Sequence, residues 1–304
     1  MLATLNDVLP SARAAQYCVP AFDCVEDIMV RTILETCQEE RCPAIIMALE
    51  GDLKGNGMVY ISALVRGVAA CHDIPVVLHL DHARNLELVR SAMDHGFTSV
   101  MFDGSALPFE ENVRLTRQAV EMAHPRGISV EAELGCVGGM TLDDKQQLES
   151  VLTEPHEVVK FVQQTRVDAL AVSIGTAHGV YRSLPVLNIQ RLREIKACCE
   201  TPLVLHGGSG TPADQVQEAI RNGITKLNLY ADMRCAMYEG LKKSAGMHAR
   251  IDPLPEEMFK AIKESLSAAA TRKIRMVFAN GRVPPGAGPA APRGGAEPAA
   301  GHAG

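Results

Sequence analysis

Eight short apolar runs punctuate the chain: CVPAF (18–22), AIIM (44–47), VVLHL (76–80), SVMFD (99–103), SVEAEL (129–134), ALAVSI (169–174), PLVLH (202–206) and TKLNLY (225–230). Runs this short and this apolar read as strands buried on both faces. Between them lie longer stretches whose apolar positions recur at helical spacing, such as 27–40, 112–124 and 213–223. The last of these has Asp214 and Gln215 in a first turn after Pro212 and a stop at Gly223, as helix-end chemistry leads one to expect. Eight strand–helix alternations predict an α/β fold with a parallel sheet, and eight is the number that closes a (β/α)8, or TIM, barrel. An open doubly wound sheet is the alternative. It calls for a Gly-rich fingerprint after the first strand, and VPAFDCVED contains none. From Asn280 onward Gly, Pro and Ala dominate, too few large apolar groups to offset the entropy of ordering. The expected division is a catalytic domain over 1–280 and a disordered tail over 281–304. An amphipathic segment at 256–279 is expected to pack on the barrel or on a partner subunit.

Composition narrows the function classes. The chain has 304 residues, 47% apolar and 22% charged, with a formal charge of −6 and a pI near 5.9. There is no basic footprint, so nucleic acid is not an expected partner. No apolar run approaches the roughly 18 residues that would span a bilayer, so no membrane is expected either. The segment MLATLNDVLPSARAAQ carries Asp7 early and has no apolar core of a secretory signal. Nine cysteines without a CxxC pair point to reduced thiols and a cytoplasmic location, most of them serving as small core residues.

The candidate chemistry sits where barrel enzymes keep it, at strand ends. Strand three ends in Asp81 and His82, strand four in Asp103, strand five in Glu131 and Glu133, strand six near His178, strand seven in His206 and strand eight in Asn228. Three imidazoles from three strand tips are an open zinc set that leaves one position for water or substrate. Any one of these histidines alone reads more readily as a hydrogen-bonded core residue than as a ligand; their shared position is what favours metal. Asp81 suits a proton donor or acceptor beside the metal, or an anchor for a ligand. His79 alternates against Leu78 and Leu80 and is expected to line the barrel interior. The loop His206-Gly207-Gly208-Ser209-Gly210 precedes a helix, and its N–H groups form an anion cradle or a plain turn.

HLDH (79–82), AELGCVGG (132–139), SIGTAHGVY (173–181), LHGGSG (205–210) and KLN (226–228) together resemble the class II, zinc-dependent ketose-bisphosphate aldolases, the tagatose-bisphosphate and fructose-bisphosphate branch above all. The resemblance runs from about Tyr17 to about Ile274. It implies a (β/α)8 barrel and reversible retro-aldol cleavage of a ketose (bis)phosphate to dihydroxyacetone phosphate and an aldehyde, through a zinc-stabilised enediolate. By motif, His82, His178 and His206 would hold one catalytic zinc ion. Asp81 would serve the C4 oxygen as proton donor. Asp103 and Glu133 match the position of a second metal ion or monovalent cation. Gly179, Gly207, Ser209 and Asn228 match positions that hold the dihydroxyacetone phosphate unit. A homodimer or homotetramer is the corresponding expectation.

The chain departs from the family in the substrate half. Met140 and Thr141 stand where the fifth loop carries carboxylates, with Asp143 or Asp144 as replacements. Leu49 falls at a Ser/Thr position, Asp23 replaces a neutral amide, and Tyr230-Ala231 lack a phosphate-binding hydroxyl at 231. A carboxylate beside a phosphate is repulsive in a poorly solvated site. Arg182 and Lys226 remain as anion partners, against readings as a loop charge and a barrel-interior residue. The expected function is a zinc-dependent aldolase with an altered sugar phosphate substrate. The alternatives are another metal-dependent lyase or isomerase on the same scaffold with a non-bisphosphate substrate, and a non-catalytic zinc-binding relative.

Overall fold

The computed structural model describes residues 1–140, 147–148, 150–178, 184–247 and 252–283, with 139, 140, 147, 148, 178 and 247 described by their backbone alone. Eight parallel strands form a closed ring: β1 (Val19–Asp23), β2 (Ala44–Leu49), β3 (Val76–Ala83), β4 (Ser99–Phe102), β5 (Ser129–Leu134), β6 (Ala169–Val172), β7 (Leu203–Leu205) and β8 (Ile224–Leu229). β8 pairs with β1, and Lys226, Leu227, Asn228 and Leu229 stand opposite Val19, Pro20, Ala21 and Phe22, which closes the barrel. Every residue of β1, β2, β3 and β5 is buried, because one face packs on helices and the other fills the interior. The chain is therefore the (β/α)8 barrel that the alternating runs predict, and the open sheet is excluded.

Helices follow the strands and bury one stripe each. Asp27–Glu39 turns Ile28, Met29, Val30, Ile33, Leu34 and Cys37 inward. Asn85 and Asn188 cap their helices by accepting from Leu88 N at 2.8 Å and Arg191 N at 2.9 Å, each worth about 1 kcal/mol. Helix Pro255–Met276 buries Ala261, Ile262, Leu266, Ala269, Ala270 and Ile274 against helices Ala231–Met247 and Asp27–Glu39 of its own chain. Packing continues to Val283, which is buried and donates to Arg41 O at 2.9 Å. Of the expected tail, 281–304, the residues after Val283 lie outside the described residues.

One expectation about an element is corrected. Strand six ends at Val172, and His178 is not on it: Ala177–His178 forms a separate two-residue strand parallel to Gly138–Gly139. Ser173, Ile174 and Gly175 break the register between the two, Gly175 at φ +110°, so an apolar run that looks continuous bends away from the barrel. All nine cysteines are free thiols, and five of them are buried. No helix among the described residues is long and apolar enough to cross a membrane.

Candidate metal centre and substrate cleft

Neighbouring residues on a regular strand face opposite ways, yet Asp81 and His82 both reach one site. The backbone explains it. His82 adopts φ +50°, and the pairing of β3 with β4 shifts register between Leu80 and Ala83. A left-handed non-glycine residue costs on the order of 1–3 kcal/mol and persists where surrounding contacts impose it. Here Asp103, at the end of β4, accepts from His82 Nδ1 at 2.8 Å, and Ser105 donates to the other Asp103 oxygen through N and Oγ, at 3.1 and 2.7 Å. Burial acts upward on the Asp103 carboxyl, but the His82 and Ser105 hydrogen bonds hold it well below the carboxylate range. His82 and His206 meet edge to face, their ring centroids 4.6 Å apart.

Below them the barrel axis is charged. The alternation in SVEAEL turns Glu131 and Glu133 inward together. Glu131 lies 2.9 Å from Lys226 Nζ and 2.9 Å from His206 Nε2, all three fully buried. Lys226 also donates to Asn228 Oδ1 at 2.6 Å, and Asn228 Nδ2 donates to both Asp81 oxygens at 3.1 and 3.2 Å. A chain of hydrogen bonds thus runs from Glu131 through Lys226 and Asn228 to Asp81. His206 Nδ1 lies 3.0 Å from Glu133 Oε2. Burial pulls the His206 pKa down, but Glu131 and Glu133 outweigh it and push it up to about 10. His79 faces the interior, as its alternation predicts, with Nδ1 2.8 Å from Ser99 Oγ. Burial and the Lys226 charge lower its pKa to about 4, so it is neutral. Burial raises the Asp81 pKa, but the His82, Lys226 and His206 charges more than reverse that and keep it an anion.

The mouth is a narrow cleft with a cavity volume of about 40 Å³. Asp81, His82 and Asn228 form one side, Gly207, Gly208 and Ser209 the next, and Asp23, Met47, Leu49, Tyr230 and Ala231 the rest. The glycines are required by close approach. Gly207 has φ +69°, and a Cβ there would stand 2.5 Å from Ala177 O, so the backbone that carries His178 lies against the loop that follows His206. A Cβ at Gly208 would meet Leu227 Cδ1 at 2.5 Å. Ser209 Oγ accepts from Asp232 N at 3.2 Å, which puts the loop at the N-terminus of helix Ala231–Met247, the end that favours anions.

The structure brings Asp81, His82, Asp103, Glu133, His206, Gly207, Ser209 and Asn228 to this one end of the barrel. The side chain of His178, the residues Gly179, Thr141, Asp143, Asp144 and Arg182, and the side chain of Met140 lie outside the described residues. Lys226 is not an anion partner for substrate: its ammonium is committed to Glu131 and Asn228, which is the barrel-interior reading. Glu131 was assigned no role from sequence, although the spacing of Glu131 and Glu133 on one strand face was the signal. Asp52, which adds to the electrostatics beside Asp23, carried no sequence signal.

The donor set suits a metal ion. One atom each from Asp81, His82 and His206 lie within 4.8 Å of one another, as do single atoms from His82, Asp103 and Glu133. Zinc ligands at tetrahedral geometry stand about 3.3 Å apart, so these donors would draw together on binding an ion. Asp103 on Nδ1 places the His82 lone pair on Nε2, the carboxylate–histidine pattern common behind metal ligands. His206 would have to release a proton to ligate.

The sequence matches the family described as fructose-bisphosphate aldolase class-II over residues 3–282. Among solved structures, the YdjI aldolase from Escherichia coli K12 is 31% identical with a TM-score of 0.83, over 93% of this chain and 100% of that one. A candidate fructose-1,6-biphosphate aldolase from Coccidioides immitis is 29% identical with a TM-score of 0.81, over 91% and 97% of the two chains. The fructose-bisphosphate aldolase of Campylobacter jejuni shares the fold at 21% identity and a TM-score of 0.77, over 92% and 97%.

Proposed function

This chain belongs to the class II fructose-bisphosphate aldolase family, and we propose that it is a zinc-dependent lyase that reversibly cleaves a ketose phosphate to dihydroxyacetone phosphate and an aldehyde. The observation that carries the reading is Asp81, an anion held by both oxygens on Asn228 and placed beside His82 and His206. His82 and His206, with His178 as the third, would hold the ion, and Asp103 and Glu133 would orient it or hold a second cation. A bound zinc ion supplies Lewis-acid stabilisation of the negative charge that develops on the donor fragment.

The protein's own groups do the rest. In cleavage Asp81 takes the proton of the C4 hydroxyl as the C3–C4 bond breaks, and in condensation it returns that proton to the aldehyde oxygen. Asn228 keeps the carboxylate from rotating and is itself polarised by Lys226. Gly207, Gly208 and Ser209, at the helix N-terminus, would receive the phosphate of the donor fragment, with Gly179 and Asn228 beside it. A cytoplasmic setting and a homo-oligomeric assembly fit this reading.

The test is cleavage of a panel of ketose 1-phosphates and 1,6-bisphosphates by protein stripped with a chelator and then reloaded. Activity lost on stripping and restored by zinc or cobalt supports the reading. Cleavage that is indifferent to the chelator contradicts it.

A further inference from the structure

Asp23 ends β1 on the cleft wall, only 3% exposed, and its Oδ2 has no hydrogen-bond partner among the described residues. Met47 and Leu49 flank it from β2, and Tyr230 stands beyond β8. Neither Met47 nor Leu49 offers a side-chain donor. The nearby charge is mainly negative: Asp52 and Asp81 act on Asp23 in the same direction as burial, against Arg234, an exposed residue whose guanidinium lies over the Tyr230 ring at 4.9 Å.

We propose that Asp23 is a specificity-determining residue that binds a hydroxyl group of the substrate, so that this side of the cleft selects an uncharged, hydroxylated aldehyde over a phosphorylated one. The inference rests on the aldolase reading above and names its acceptor class. A buried polar atom left unpaired costs about 1–3 kcal/mol, which favours an occupant that pairs it. A hydroxyl both donates and accepts, so it satisfies Asp23 whether the carboxyl is ionised or neutral. A phosphate dianion only accepts. It has no hydrogen bond to make with ionised Asp23, and it would sit in the field of Asp52 and Asp81. Burial, Asp52 and Asp81 raise the Asp23 pKa well above the usual range, and a hydroxyl pairs with the carboxyl in either protonation state. Asp23 ends β1, between β8 and β2 in the ring, and lines the same cleft as Gly207, Gly208 and Ser209, whose place at a helix N-terminus suits the phosphate of the donor fragment.

Zinc-loaded wild-type protein, Asp23→Asn and Asp23→Ser are given dihydroxyacetone phosphate with either D-glyceraldehyde or D-glyceraldehyde 3-phosphate. The readout is the ratio of the two kcat/KM values, together with deuterium exchange at C3 of dihydroxyacetone phosphate by the wild type. The expected result is a wild-type preference for D-glyceraldehyde, with a shift of about tenfold or more toward the phosphorylated aldehyde in Asp23→Asn, whose amide donates to either. Asp23→Ser, which removes the charge with less bulk, shifts the ratio the same way. An unmoved ratio in both variants, a wild-type preference for the phosphorylated aldehyde, or exchange without consumption of either aldehyde overturns the proposal. Absence of exchange in the zinc-loaded wild type contradicts the aldolase reading itself, and the proposal with it.

Discussion

Glu131 and Asp23 are both carboxylates buried at the inner face of one barrel, and their surroundings drive them in opposite directions. Burial pushes both upward. In Glu131 the Lys226 charge and the His206 hydrogen bond overcome it and hold the group far below the usual range. In Asp23 nothing overcomes it, and Asp52 and Asp81 add to the rise. On the axis side Glu131 lies 2.9 Å from both Lys226 and His206, and Lys226, Asn228 and Asp81 are hydrogen-bonded in series, although Glu131 Oε2 and His79 Nε2 also lack a hydrogen bond among the described residues. The β1–β2 wall leaves a polar atom waiting. A buried charge whose partners are all in the chain serves to position other groups. A buried polar atom without one is a place for a ligand.

The comparison breaks most sharply at Asp81, where the internal chain ends and the substrate begins. Asp81→Asn is expected to lower kcat for cleavage by roughly 10²–10⁴-fold, with C3 exchange of dihydroxyacetone phosphate falling less, since Asp81 serves the C4 oxygen. Equal losses in the two assays would place Asp81 in metal retention instead. One step inward, Lys226→Met leaves the buried Glu131 with His206 but without its ammonium partner, and should cost up to about 3–5 kcal/mol in urea unfolding. Adding Glu131→Gln should recover part of that loss; full stability in the single variant would contradict the pairing.

Proton release sharpens the same contrast. In the metal-free protein His206 has a folded pKa of about 10, above the unfolded value near 6.5. Its stabilising contribution is whole below about 6.5 and is lost as pH rises through about 10. Zinc must displace that proton, so apparent zinc affinity should rise about tenfold per pH unit across this window for one proton released. Chelator competition at several pH values measures it, and a flat profile contradicts the carboxylate cage around His206. The smallest effect belongs to the open wall. Asp23→Asn should stabilise the metal-free protein by roughly 1–3 kcal/mol at neutral pH. Because the folded Asp23 pKa is raised, Asp23 weakens the fold only above the unfolded value near 4, and the advantage of Asn should shrink as pH falls toward it.

Much of this was legible in the chain because strand residues alternate. The apolar runs predict the eight strands, and the residues just past them, Asp81, His82, Asp103, Glu133 and His206, do converge. His79 follows from the same period. What stayed hidden depended on breaks in regularity or on distant partners. The φ of +50° at His82 is imposed by tertiary contacts. The turn after Val172 separates His178 from a strand that its apolar flank seemed to continue. Lys226 reads as a candidate for substrate phosphate until Glu131, 95 positions away in sequence, is seen to hold it. Asp23 was visible as a misplaced charge, but its isolation beside Asp52 required the fold.

The central claim is that the Asp81–His82–His206 end of the barrel stabilises a carbanion next to a metal ion. Deuterium incorporation at C3 of dihydroxyacetone phosphate, followed by NMR with and without zinc, tests it most directly. Stereospecific exchange that appears with zinc and vanishes in chelator is the predicted result. No exchange in the zinc-loaded protein, or the same exchange in chelator, would contradict the account.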